Sequence, residues 1–300
     1  MKPKHHKLTA ILPFLLLALL CMSNSLSTEV QAQGLDRWLG PTSWWDWSDY
    51  RFIAKYRVMF PKLLSGTVTH KPANGVQEEH DLISDYNFQT SPGPFSEGWF
   101  QLQIDRLGLR FIVEEDRSFR GVHKPKNSNE LRLSQVDISS TRLGLDLDLI
   151  RYPQFRAGIN FDYHLNGVAF DDFMYFTGSG TSFEGFKDIN SGEPMTIGLQ
   201  ATAIPGRIKE VPIIMNARVR VSMPFMKEVF GYTYTTRLTD WEVSAGLRPS
   251  VWDTSAYKFA TFSLGVEGGY RSTSVDAEFT NSSSVRYKFG GPFIQVGVYY

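Results

Sequence analysis

Apolar residues in this chain recur at every second position. From Tyr50, one face carries Phe52, Ala54, Tyr56, Val58 and Phe60, and the other carries Arg51, Lys55 and Arg57. That period belongs to a strand with one apolar and one polar face, because successive side chains leave opposite sides of a pleated backbone. The alternation returns as Leu143, Leu145, Leu147 and Leu149 against Arg142, Asp146 and Asp148, and again as Phe155, Ala157, Ile159, Phe161 and Tyr163 against Arg156, Asp162 and His164. Further copies run through Met195–Ala201, Val211–Val221, Trp241–Leu247 and Ala260–Tyr270, and the last is Pro292–Tyr300.

At Asp105-Arg106 the apolar face flips: Phe100, Leu102 and Ile104 lie at even positions, whereas Leu107, Leu109, Phe111 and Val113 lie at odd ones. A β-bulge inside one long strand or a tight turn explains the flip; the turn is favoured and makes ten strands, with eight or twelve as the alternatives, particularly if Leu82–Phe88 forms a strand of its own. Each strand is about ten residues long, enough to cross a bilayer at a tilt. The spacers alternate in length. Arg151–Gln154, Ile204–Glu210 and Pro249–Ala256 are short, whereas Pro61–Glu97, Glu114–Glu130, Leu165–Gly192, Pro224–Thr236 and Ser272–Lys288 are long. A soluble sandwich shares the alternation, but the strand length and alternating spacers favour a transmembrane antiparallel up-and-down β-barrel over residues 50–300.

The N-terminus adds an export signal. Lys2, Lys4 and Lys7 precede an apolar run from Ile11 to Met22, and Val30-Gln31-Ala32 ends it with a small residue, so residues 1–32 read as a signal peptide cut after Ala32. The run is too short for a spanning helix. Residues 33–49 form a periplasmic segment holding Trp38, Trp44, Trp45 and Trp47, suited to the membrane interface or to plugging the barrel. Cys21 is the only cysteine and leaves with the signal, which removes disulfides and thiolate chemistry. Losing Lys2, Lys4, Lys7 and Glu29 from 31 basic and 31 acidic side chains leaves a slightly acidic chain, with no basic excess for nucleic acid.

The ending PFIQVGVYY resembles the terminal strand of bacterial outer-membrane proteins, with Ile294, Val296, Val298 and Tyr300 toward lipid. The resemblance implies an outer-membrane location, lipids as surroundings, and the outer-membrane assembly machinery as a partner that reads this ending. Closure would set Val298 and Tyr300 beside the first strand. Tyr50, Tyr56, Tyr152, Trp241, Tyr270 and Tyr300 suit interfacial girdles.

Chemistry, if present, belongs to the polar face. Pairing across the loop near Phe230 sets Arg220 opposite Asp240 and Arg218 opposite Glu242. Pairing Leu149 with Phe155 sets Asp148 beside Arg156 and Arg142 beside Asp162. With His164, these residues form an expected lumen charge network. His164 near Asp162 lacks a neighbouring serine in sequence, so no catalytic residue is assigned. No metal-ligand spacing, phosphate loop or cofactor motif is present. Loop residues Phe170, Phe173, Tyr175 and Phe176 suggest an interaction surface, or strands extended beyond the membrane. The expected function is a small barrel with a mostly closed lumen and a structural or surface-interaction role. A narrow channel for small or apolar solutes is the alternative, followed by an outer-membrane hydrolase or acyltransferase; the ligand is left unassigned.

Overall fold

The computed structural model describes residues 50–70, 78–104, 106–123, 131–152, 155–164, 168–177, 180–182, 186–190, 195–209, 211–223, 236–253, 261–278 and 284–299. The expected signal peptide, the Trp-rich segment 33–49 and Tyr300 lie outside these residues. So do the side chains of Tyr50, Tyr152, Phe170, Phe173, Tyr175 and Phe176.

Ten strands close into one antiparallel up-and-down barrel. They are β1 (Tyr50–Met59), β4 (Phe95–Ile104), β5 (Leu107–His123), β6 (Leu131–Tyr152), β7 (Phe155–His164), β11 (Met195–Ile208), β12 (Val211–Ser222), β13 (Thr236–Leu247), β15 (Thr261–Glu278) and β16 (Ser284–Tyr299). Each pairs with the next around the ring, and β16 pairs with β1 to close it, setting Val298 opposite Ala54. Closure leaves no unpaired edge in the wall. Between these lie β2 (Lys62–His70), β3 (Glu78–Asp81), β8 (Val168–Thr177), β9 (Gly180–Ser182), β10 (Phe186–Asn190) and β14 (Ser250–Asp253).

The face flip at Asp105-Arg106 is a turn, with Ile104 opposite Leu107. Other expected boundaries shift. Segments read as long spacers are largely strand: β5 runs to His123, β15 to Glu278, and β16 starts at Ser284. The break expected at Ile204 is a register shift between Ala203 and Gly206, which lets β11 continue past Pro205 to Ile208. Leu82–Phe88 is a turn and not a strand, because the Asp81 carboxylate accepts the Ile83 and Ser84 amides at 2.8 and 2.7 Å and winds the backbone.

The β6–β7 register also differs from expectation. β6 persists to Tyr152, which pairs with Phe155, so only residues 153 and 154 connect the strands. A two-residue connection fixes the pairing, and a bulge between Asp148 and Ile150 resets the faces. Arg142 therefore opposes His164, and Asp148 opposes Gly158, in place of the expected Asp162 and Arg156. Gly158 permits the close approach, since a Cβ there would lie 2.1 Å from the Leu147 carbonyl oxygen.

Three short connections, after β4, β6 and β11, define a turn end of the barrel, and the longer connection from β13 to β15, which carries β14, lies at the same end. At the opposite, long-strand end, an apolar core fills the interior. Met59, Phe95, Phe119, Val136, Val275, Ala277, Val285, Tyr287, Phe289 and Phe293 point inward from the wall, and Leu82, Tyr86 and Phe88 complete the cluster from the turn after β3. That turn is tethered on both sides. The Leu82 amide donates to Gly66 at 2.8 Å, and the Gln89 amide donates to Arg120 at 2.8 Å. It thus closes the wall above the short β1–β4 hairpin. Phe88 seats directly on Gly121, where a Cβ would come within 2.4 Å of its ring.

Candidate functional site, the lumen charge network

Below the apolar core the interior changes character. Arg57, Arg110, Arg142, Arg218, Arg220 and Arg271 meet Glu97, Glu114, Asp146, Asp162, Asp240 and Glu242, cation and carboxylate in equal number. Alternation along each strand sends these side chains inward, and closure brings opposite walls together.

Two residues act as hubs. Glu97 accepts Arg142 at 2.6 Å, Arg271 at 3.0 Å and Arg57 at 3.2 Å. Asp240 accepts Arg220, the Arg271 Nε at 2.8 Å and the Thr273 hydroxyl at 2.6 Å. Glu114 links Arg142 at 2.5 Å with Arg271 at 2.7 Å. Asp162 joins Arg110 at 2.5 Å and Arg220 at 2.9 Å, while Asp146 holds the other side of Arg110 at 2.6 Å. Glu242 receives Arg57 at 2.9 Å and lies 3.8 Å from Arg218. Several of these bonds cross the lumen: Arg271 on β15 reaches Glu97 on β4 and Glu114 on β5, which are not its neighbours in the wall. Arg218 on β12 lies 4.4 Å from the ring centre of Trp99 on β4, on the opposite side of the ring.

The residues singled out from sequence are distributed unevenly over this network. Arg220 opposes Asp240, and Arg218 opposes Glu242, in the β12–β13 ladder. Arg142 and Asp162 are in the network through partners on other strands. Asp148 accepts from the Gln103 amide at 2.7 Å nearer the turn end. Arg156 is half-buried and pairs in the wall with Thr202 and Arg151. His164 is buried, with Nε2 3.5 Å from the Thr196 hydroxyl, so the nearby hydroxyl comes from β11 and is a threonine. That separation is too long for a firm hydrogen bond.

Arg57, Glu97, Arg110, Asp146 and Arg271 carry no sequence-based assignment, and Glu114, expected as a solvated charge at the start of the spacer Glu114–Glu130, instead lies within β5 and is buried. Their inward parity is readable within their strands; Arg57 faces Glu97 in the β1–β4 ladder and Arg110–Asp146 joins adjacent strands, but other partners, such as Glu97 and Glu114 for Arg271, lie across the ring, where neighbour-to-neighbour registers do not reach. The β8 backbone pairs with β6 and carries Phe170, Phe173, Tyr175 and Phe176.

The outer surface has the opposite polarity. Phe52, Tyr56, Phe100, Leu109, Leu145, Val266, Ile294 and Val296 are all exposed, while Arg57, Arg110, Asp146 and Glu267, which alternate with them, are buried. Tyr56 is 54% exposed, and Trp241 and Tyr270 stack with ring centres 5.7 Å apart. An apolar belt around a charged interior is stable only where the surrounding medium is hydrocarbon, and a closed sheet satisfies its backbone there. The fold is that of an outer-membrane β-barrel.

No protein-family model and no curated protein sequence matches this chain. Among solved structures, it is similar to the outer-membrane protease OmpT from Escherichia coli, at 11% identity and a TM-score of 0.43, over 87% of this chain and 99% of that one. It is also similar to the translocator domain of the autotransporter NalP from Neisseria meningitidis, at 11% identity and TM-score 0.32, over 94% and 98% of the two chains. The toluene transporter TodX of P. putida is similar at 9% identity and TM-score 0.28, over 83% and 89%. Similarity at this level assigns no activity to the barrel.

Proposed function

We propose that this protein is a bacterial outer-membrane barrel whose lumen is closed and whose role is structural or surface-interacting, not conductive. The observation that carries the reading is the charge-balanced network spanning the lumen beneath the apolar core. Buried charges held by hydrogen-bonded partners stay in place, because removing either partner strands an ion in a low-dielectric interior. An aqueous path would have to break several such bonds and also displace Phe119, Phe289 and Leu82, each nearly fully buried.

In this reading the turn end faces the periplasm and the long-strand end faces outward, as the usual loop asymmetry implies. Residues 1–32 are removed by signal peptidase, and the ending that includes Ile294, Val296 and Val298 is read by the assembly machinery. The strands continuing beyond the belt, including β8 and β10, form the outward surface for an interaction partner.

Single-channel recording on the purified protein in a planar bilayer tests the proposal. The expected result is a membrane that stays silent after insertion. Stable, large openings overturn it.

A further inference from the structure

Toward the turn end, the balance of charge and partner breaks down. Lys55, Arg218 and Arg248 are layered with two aromatic rings. The Lys55 ammonium lies 5.0 Å from the Trp99 ring centre and 5.5 Å from that of Tyr299. Arg218 lies 4.4 Å from the Trp99 centre, and Arg248 lies 3.6 Å from the Tyr299 centre. Ring faces attract cations but offer them no hydrogen-bond acceptor.

The nearby carboxylates are already occupied. Glu267 accepts from Tyr299 at 2.7 Å, Asn216 at 2.7 Å, Ser244 at 2.8 Å and Gln295 at 2.8 Å, which leaves Lys55 3.7 Å away. Glu242 is taken by both terminal nitrogens of Arg57, with Arg218 left at 3.8 Å. Neither Lys55 nor Arg218 is within hydrogen-bonding distance of these carboxylates. Three buried N–H donors, Trp99 Nε1, Arg218 Nε and Arg248 Nε, find no acceptor among the described residues. Trp99 is 5% exposed and the Arg218 side chain 9%, so bulk water does not simply cover them.

A group of cations with unused donors, and with its carboxylates engaged elsewhere, is complementary to a ligand that brings acceptors and negative charge. Unpartnered nitrogens among the described residues also occur on Arg110 and Arg142, but each of those guanidinium groups already holds two carboxylates, and Asn160 leaves both its donor and its acceptor unpartnered, which suits water. We infer that the turn-end half of the lumen is a binding site for a small oxyanion, a phosphate or carboxylate, held by Lys55, Arg218 and Arg248 with the Trp99 N–H. This site is independent of whether the barrel conducts. Charge selects the ligand, the Trp99 and Tyr299 rings pack against the cations, and the one hydrogen bond from Arg218 Nη2 to Gln200 at 3.2 Å leaves its Nε free for the ligand.

The test is calorimetric titration of inorganic phosphate into the purified full-length barrel in nonionic detergent, at constant ionic strength, with chloride as the control anion. Saturable one-to-one phosphate binding is expected, weakened at least tenfold in Lys55→Gln and in Arg248→Gln. Both variants are checked for folding by their heat-dependent gel mobility. Asn160→Ala should leave the affinity unchanged. Absence of saturable binding in the unmodified protein overturns the inference, as does affinity unaffected by Lys55→Gln and Arg248→Gln in folded protein. If chloride competes at equal concentration, the specificity for an oxyanion is refuted.

Discussion

Replacing Glu97 by Gln removes one negative charge from the centre of the lumen while keeping side-chain length and one acceptor oxygen. Glu97 is 1% exposed and faces nitrogens of Arg142, Arg271 and Arg57 at 2.6, 3.0 and 3.2 Å. With an effective dielectric near 20, each contact at this range is worth about 5 kcal/mol before solvation is considered. Desolvating the ions offsets several kcal/mol apiece, so the net loss is far smaller than the gross attraction. Breaking one side of a buried ionic group costs about 3–5 kcal/mol, because the guanidinium groups left behind are uncompensated. Equilibrium urea unfolding of the barrel in lipid vesicles, followed by tryptophan fluorescence, measures the loss. Adding Arg142→Met to Glu97→Gln removes a stranded cation and should restore at least half of it. A loss under about 1 kcal/mol for the single variant would refute the reasoning, because it would mean that water already screens these charges.

Other consequences are equally measurable. Val266→Arg puts a charge on a side chain 55% exposed in the outer belt and should destabilise the membrane-inserted barrel by about 2–4 kcal/mol, whereas Arg120→Lys, which keeps the charge at an exposed position, should be neutral in the same unfolding assay. Gly121→Val drives a side chain into Phe88; the overpacking should cost about 1–3 kcal/mol and make residues 82–90 newly sensitive to proteinase K added outside intact cells. Phe119→Ala empties part of the apolar core, with an expected loss of about 3–5 kcal/mol, and planar-bilayer recordings should remain silent because the charge network below is intact.

What the sequence made legible was the wall. Strict alternation on Leu143–Leu149, Phe155–Tyr163 and Ile294–Val298 revealed strands with two chemically distinct faces, and the parity change at Asp105-Arg106 located a turn. Strand ends were less visible. Ser272–Lys288 reads as polar loop because Ser272, Thr273 and Ser274 break the apolar pattern, yet this is where the interior core starts and both faces change composition. The bulge beside Asp148 was hidden for a related reason: one extra residue leaves the local pattern nearly intact but moves every cross-strand partner beyond it. Partnerships such as Arg271 with Glu97 were beyond reach altogether, since they depend on the curvature of the closed ring. His164 showed only that a histidine lies on the inward face; its hydroxyl neighbour, Thr196, is on β11.

The cross-lumen bonds also set the order in which the barrel can form. Arg57 is separated by 238 residues from Gln295, by 185 from Glu242, and Arg271 by 174 from Glu97. Until the later strands are present, Arg57 has Glu97 on the adjoining β4 but lacks Gln295 and Glu242, and Glu97 lacks Arg271. Such intermediates gain little by excluding water, and the distant ends must meet before the reward arrives. Closure should therefore be a late, concerted event. A chain stopped short of β15 and β16 would not settle for a narrower barrel; it would stay an open, hydrated sheet awaiting degradation.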